Sequence, residues 1–251
     1  MLQRTATASR ACLLGVAMFA GCASELPAPG GSDELSGGLE IGAGTDPVAA
    51  SYFIIKPAIV ENDDCELGSC GRFVVALANG GTTRCGFTAP QSSCLIEVID
   101  WSPLGLSAEA AGAYERRILD GDSFVLEGEL IPEPDDSGVS FRASGIWVPG
   151  SARGTIEGEY VLVYDNGIRC VRAPCPSLTE LTLNSTAQSE ITDVDLSPAG
   201  ASEQAEWLAR KAFTGVGAIL VGDRYTDQTG VIGRTANQFF LLAEASESRE
   251  P

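Results

Sequence analysis

Two cysteines five positions apart occur twice in this chain, in "DDCELGSCGR" (63–72) and in "IRCVRAPCPS" (168–177). The pairs lie 105 residues apart, and the segments around them recur in the same order. The first stretch reads "SYFIIK", Cys65 and Cys70, "FVVALA", "CLIEVIDWSPLGLSAEAAGAYERRIL", "SFVLEGEL" and "VSFRASGIWV". The second reads "EYVLVY", Cys170 and Cys175, "LTELTLN", "EITDVDLSPAGASEQAEWLARKAF", "GAILVGDRY" and "VIGRTANQFFLLAEA". The same marks in the same order identify an internal repeat. Asp100 and Asp195, in the two D-x-S-P segments, lie 95 residues apart, so the first copy carries ten extra residues between these marks. They fall around "RCGFTAPQSSC", which brings Cys85 and Cys94.

Within each copy the apolar runs are short, rich in β-branched and aromatic residues, and bounded by Gly, Pro or Asp, which predicts strands. One segment per copy has helical spacing. "SAEAAGAYERRIL" follows Ser107 as N-cap, with Glu109 in the first turn where the helix dipole favours an anion. In "SEQAEWLARKAF" the residues Ala205, Leu208, Ala209, Ala212 and Phe213 form one apolar stripe suited to lie on a sheet. The expected fold class is therefore α+β: two tandem copies of a small antiparallel sheet covered by one helix, pinned by disulfides. The expected boundaries are 49–150 for the first repeat and 151–251 for the second. Of the three tryptophans, Trp101, Trp147 and Trp207, core or helix–sheet packing is the expected role, ahead of ligand stacking.

The N-terminus predicts an address. "MLQRTATASR" carries two arginines and no acid and leads into "ACLLGVAMFAG", which has the order of a secretory signal and is too short for a permanent membrane span. "FAGC" then places small residues before Cys22 and resembles the lipobox cut by bacterial lipoprotein signal peptidase. That resemblance implies residues 1–21 as a lipoprotein signal peptide and Cys22 as the acylated first residue of the mature chain. Several acyl chains on one cysteine exceed the threshold for stable anchoring. "CASE" lacks the aspartate that retains lipoproteins on the inner membrane, so the outer membrane is the expected location, on a side the sequence leaves open. Residues 22–48, rich in Gly, Pro, Ser and acids without an apolar period, predict a flexible tether reaching on the order of 25–30 Å.

Loss of residues 1–21 removes Arg4 and Arg10 and takes the formal charge from −18 to −20. So acidic a chain repels nucleic acid, leaving the lipid anchor, an envelope protein or a glycan as expected partners. Cys12 leaves with the signal and Cys22 takes the lipid, so six cysteines remain for an oxidising compartment. A pair that recurs as a unit bonds most simply to itself, which predicts Cys65–Cys70, Cys170–Cys175 and, within the insertion, Cys85–Cys94. Four thiolates in two C-x4-C pairs would also suit zinc, but the chain has no histidine, and structural bonds are the stronger expectation. No cofactor or metal is expected; "DGDS" at 120–123 and "TDVD" at 192–195 do not continue into a full EF-hand pattern.

The absence of histidine removes Ser-His-Asp and Cys-His mechanisms. No S-x-x-K, G-x-S-x-G, G-x-G-x-x-G or P-loop pattern occurs. Asp100 and Asp195 are matched acids, but Asp and Ser before Pro more often start a turn. No catalytic residues are expected. The lipobox, "YFIIK" before a close cysteine pair, "CGRFVV", "TTRC…SSC", "IEVIDWSPLGLS" and "GIRCVRAPCPS" together resemble an uncharacterised family of exported lipoproteins of Gram-negative bacteria. The resemblance spans most of 50–245 and implies a location and an architecture without an activity. The expected function is a non-enzymatic binding or structural module of the outer membrane. The alternatives are an inhibitor of exported proteases presenting "CVRAPC", with Arg172 entering a protease pocket, and a carboxylate-based hydrolase using Asp100 and Asp195.

Overall fold

The computed structural model describes residues 51–58, 72–86, 88–133, 138–152 and 154–243. The first copy forms β1 (Ser51–Pro57), β2 (Phe73–Leu77), β3 (Cys94–Ile96), β4 (Ile99–Asp100), α1 (Ala108–Leu119), β5 (Phe124–Pro132) and β6 (Val139–Pro149). The second repeats the series as β7 (Glu159–Asp165), β8 (Leu178–Thr182), β9 (Gln188–Ile191), β10 (Asp193–Asp195), α2 (Glu203–Phe213), β11 (Ala218–Thr226) and β12 (Ile232–Leu242). The fold is α+β, largely antiparallel, with one helix per copy.

The two copies share one sheet. Its order is β3-β2-β1-β5-β6-β12-β11-β7-β8-β9, so the halves meet where β6 runs antiparallel to β12. Trp147 pairs with Leu242, Val148 with Leu241 and Pro149 with Phe240. Trp147 and Phe240 occupy matching places in the two copies, as do Pro149 and Leu242, so a pseudo-twofold axis passes through the Val148–Leu241 pair. Two parallel ladders interrupt the antiparallel rule in the same place in each half: β4 beside β6, and β10 beside β12.

The D-x-S-P-x-G segments turn the chain from the short parallel strand into the helix. Asp100 Oδ1 accepts the Ser102 N–H at 3.0 Å, and Asp195 Oδ1 accepts the Ser197 N–H at 3.0 Å. Proline then starts a single 3-10 turn with its fixed φ, and Gly105 (φ 62°) or Gly200 (φ 61°) ends it in the left-handed region where glycine carries no Cβ penalty. Ser107 and Ser202 cap the helices, each hydroxyl accepting a backbone N–H at 3.2 Å, from Ala110 and Ala205. Basic residues close the last turns: Arg116 and Arg117 in α1, Arg210 and Lys211 in α2.

Alternation along the strands sends side chains to two buried faces. In β5, Phe124 and Leu126 join the core beneath α1, whereas Val125 joins a third core shared by both copies. In β11, Ala218 and Leu220 face the α2 side and Ile219 and Val221 the shared core. The shared core brings Ala78, Val125 and Trp147 of the first copy against Tyr160, Leu183, Ile219, Val221 and Phe240 of the second. Each large apolar side chain buried this way contributes about 1.5–3 kcal/mol.

Helix α2 departs from its predicted stripe. Ala209 and Phe213 are buried and Ala205 and Ala212 partly so, but Leu208 is exposed, and Trp207 is 55 % exposed beneath the Lys211 ammonium, 5.4 Å from its ring centroid. Trp101 and Trp147 are buried as expected. Trp207 lies two positions from both Ala205 and Ala209, roughly 200° around the helix from each, so it points away from the stripe that meets the sheet.

Candidate functional site

Two reciprocal asparagine clamps hold the copies together. Asn79 and Asn184 follow β2 and β8, at matching places, both with positive φ (66° and 57°), a conformation asparagine tolerates better than most residues. Asn79 Oδ1 accepts the Tyr160 N–H at 2.6 Å, and its Nδ2 donates to the Tyr160 and Leu183 carbonyls at 2.7 and 3.1 Å. Asn184 does the same in the other direction, accepting the Tyr52 N–H at 2.8 Å and donating to the Tyr52 and Ala78 carbonyls at 2.8 and 3.0 Å. Each side chain thus completes the outer edge of the other copy's first strand. On the shared face Glu127 is half-buried; burial pushes its carboxyl above the ordinary range, against the opposing effect of the Trp147 and Tyr52 side chains. Tyr52 is itself pushed up to about 12 by burial and by Glu127.

The copies differ most where the ladders place matching residues in unlike company. Asp100 pairs with Arg142 and Asp195 with Thr235, so Phe141 of the first copy corresponds to Arg234 of the second. Val75 pairs with Cys94, and Glu180 with Ser189, which matches Val75 to Glu180 and Cys94 to Ser189. The second copy therefore buries an ion network where the first buries hydrocarbon. Arg234, 1 % exposed, donates from Nε to Glu180 Oε2 at 2.6 Å, from Nη1 to the Gly222 carbonyl at 2.8 Å and from Nη2 to Glu159 Oε2 at 2.7 Å. Arg224 donates from Nε to Glu180 Oε1 at 2.7 Å and also reaches Ser189 Oγ. Burial pushes the Glu180 carboxyl up, but the Arg234 hydrogen bond and the charges of Arg234 and Arg224 outweigh it and hold the group below its usual range.

At the corresponding place the first copy has an open cleft of about 430 Å³. Phe53 and Leu130 line it with apolar surface, while Ser51, Thr83, Arg84 and Arg142 add polar groups. Thr83 and Arg84 belong to the insertion peculiar to this copy, which a Thr83–Gln91 bridge and the Cys85–Cys94 disulfide tie back to β3. A bulge between Glu127 and Gly128 bends β5 along the cleft; a Cβ on Gly128 would meet the Arg142 carbonyl oxygen at 2.1 Å, so only glycine fits.

The cysteines fall as follows. Cys85 and Cys94 are bonded at 2.07 Å, and Cys170 and Cys175 are bonded with Cα atoms 5.6 Å apart. Cys22, Cys65 and Cys70 lie outside the described residues, as do the signal peptide and the tether. Around Cys170–Cys175 the loop at 166–177 is braced at its base. Arg169 forks onto both Asp165 oxygens at 2.9 and 2.7 Å, and the Arg169 bonds hold the Asp165 carboxyl below its usual range. Asn166 accepts the Ile168 N–H at 2.9 Å and donates to the Pro176 carbonyl at 2.9 Å. The tip is bare: Val171 is fully exposed and Arg172 is exposed beside it.

Asp100 and Asp195 each serve the turn of their own copy. The Ser102 hydrogen bonds lower the Asp100 carboxyl and the Ser197 hydrogen bonds lower Asp195. Among the described residues no group of three or more His, Cys, Asp or Glu side chains could hold a metal ion. The Arg234 network carries no motif; its only trace in the sequence is polar residues at positions where the other copy has Val75 and Phe141.

Residues 57–246 match the model of a family described as Domain of unknown function (DUF6748), and the chain belongs to that family. No curated protein and no solved structure matches it.

Proposed function

We propose that this member of a family without an assigned activity is a non-enzymatic contact module of the outer membrane, held there by a lipid on Cys22 and engaging an envelope protein or glycan. The supporting observation is the loop at 166–177, in which a disulfide and the Asp165–Arg169 and Asn166 contacts fix the base while a wholly exposed valine occupies the tip. A pre-ordered loop loses little conformational freedom on binding, and an apolar side chain offered to water gains on being covered. The test is a photoreactive amino acid at position 171 in intact cells, with position 204 on α2 as the surface control and Cys22→Ser as the unanchored control. A crosslinked species specific to position 171 and dependent on Cys22 is expected. Equal labelling at 171 and 204, or labelling that ignores the anchor, would overturn the assignment.

A second reading, inhibition of exported proteases, is favoured by one further observation: Arg172 sits at that same braced tip with its side chain in solvent. It requires stoichiometric inhibition of a trypsin-like protease that Arg172→Ala abolishes. Slow cleavage after Arg172 without inhibition would eliminate it.

A further inference from the structure

The insertion of ten residues, its own disulfide and the open cleft belong to the first copy alone, whereas the loop proposed for contact belongs to the second. The cleft therefore stands independently of that loop and of the lipid. We infer that the cleft between the Cys85–Cys94 insertion and β6 binds a small monocarboxylate whose body is apolar, the carboxylate meeting Arg84 and Arg142 and the body covering Phe53 and Leu130.

Charge is the first ground. The chain has 34 acids against 16 lysines and arginines, yet the cleft is lined by two arginines and one acid, Glu129. Arg84 makes no ion pair among the described residues and is exposed on a loop that a disulfide and a β-bridge hold in place. Arg142 is already paired, with Asp100 and Glu129, but both contacts are 3.3 Å long, well beyond the 2.7–2.9 Å of a strong charge-assisted bond. Those two pairs use Nε and one Nη of the guanidinium. With Asp100, which Arg142 also holds, the local charges sum to zero, so a single carboxylate adds one negative charge and a phosphate dianion two.

Shape is the second ground. A volume of about 430 Å³ lies within the range of roughly 300–1,000 Å³ usual for small-molecule sites, which are mostly apolar with a few placed polar groups. Here Phe53 and Leu130 supply the apolar part, and the hydroxyls of Ser51, Thr83 and Ser144 stand around it. The matching position in the second copy shows the contrast: Arg224 stands where Leu130 stands and Glu159 where Ser51 stands, and both are drawn into the Glu180–Arg234 network. Their charges are satisfied within the protein, whereas that of Arg84 is not.

The experiment is calorimetric titration of the full chain, purified in detergent, with hydrocinnamate, hexanoate, hydrocinnamamide and inorganic phosphate. Saturable binding of a carboxylate is expected, with the amide at least about tenfold weaker, as for loss of a hydrogen-bonded charge. Arg84→Gln and Arg142→Gln should each weaken the carboxylate by a similar factor, with the near-ultraviolet dichroism unchanged. Arg172→Gln, the same charge change at the far loop, should leave it as it is. The inference is overturned if neither carboxylate saturates by about 10 mM, a bound below even weak millimolar affinity. It is equally overturned if the amide or phosphate binds as well as the carboxylate, or if Arg172→Gln weakens binding as much as Arg84→Gln.

Discussion

Replacing Arg234 by methionine tests whether the second copy depends on its buried ions. The guanidinium makes three hydrogen bonds, to Glu180, Glu159 and the Gly222 carbonyl, and is almost wholly enclosed. Removing it leaves the buried Glu180 held, among the described residues, by Arg224 and Ser189, and breaking a buried pair from one side costs about 3–5 kcal/mol. The Gly222 carbonyl loses a partner as well, at about 1–3 kcal/mol, but methionine recovers part of this through packing, so about 3–5 kcal/mol is the expected net loss. Urea denaturation should show it as a midpoint shift of about 1 M or more. Adding Glu180→Val, the residue the first copy carries at this place, should restore at least half of the loss. The pH dependence follows from Glu180, whose carboxyl is depressed in the folded state. Its contribution is present above the unfolded carboxylate pKa and is lost as pH falls through the lower folded value. The deficit of Arg234→Met should therefore be largest near neutrality and shrink in acid. A loss under about 1 kcal/mol, or a double variant no more stable than the single one, would refute the reasoning.

Three further outcomes are expected. Asn79→Ala and Asn184→Ala should each destabilise by about 2–4 kcal/mol, since each strips three hydrogen bonds from part-buried backbone, and melting temperatures check it. Glu127→Gln should stabilise the protein at neutral pH: burial raises this carboxyl, so its favourable contribution exists below the unfolded pKa and is lost as pH rises through the folded one. The gain should disappear in acid melts. Trp207→Ser should change stability by no more than about 0.5 kcal/mol and remove the tryptophan emission most easily quenched by iodide.

Much of the fold could be read from residues whose effect is local. Ser107 and Ser202 sit before helical spacing and do cap helices, and D-x-S-P-x-G turns the chain by bonds within a few residues. Matching one copy to the other also located the bonds at Cys85–Cys94 and Cys170–Cys175. What escaped depends on contacts across the duplication. Nothing in "SGIWVPG" or "QFFLLA" says that these segments pair with one another to make one sheet, and the Asn79 and Asn184 clamps join residues about a hundred positions apart. "CLIEVID" reads as one run but breaks after Ile96, because Ile99 and Asp100 leave β2 and run parallel to β6. Trp207 departs from its expected packing because it lies off the apolar stripe of α2, on the face turned to solvent. The cleft is built from an insertion, a bulge and an arginine on separate strands and has no linear signature.

The Val148–Leu241 pair on the pseudo-twofold axis has a consequence for what this architecture can become. Two separate chains meeting through the same strand would form an isologous dimer, in which every residue occurs twice and every substitution is made on both sides at once. Joined in one chain, the halves are free of that constraint. Phe141 and Arg234 hold equivalent places with opposite chemistry, and an insertion with its own disulfide stands on one half only. Covalent fusion allows one half to fill its interior with paired ions while the other keeps an opening, a difference that no dimer of identical chains can encode.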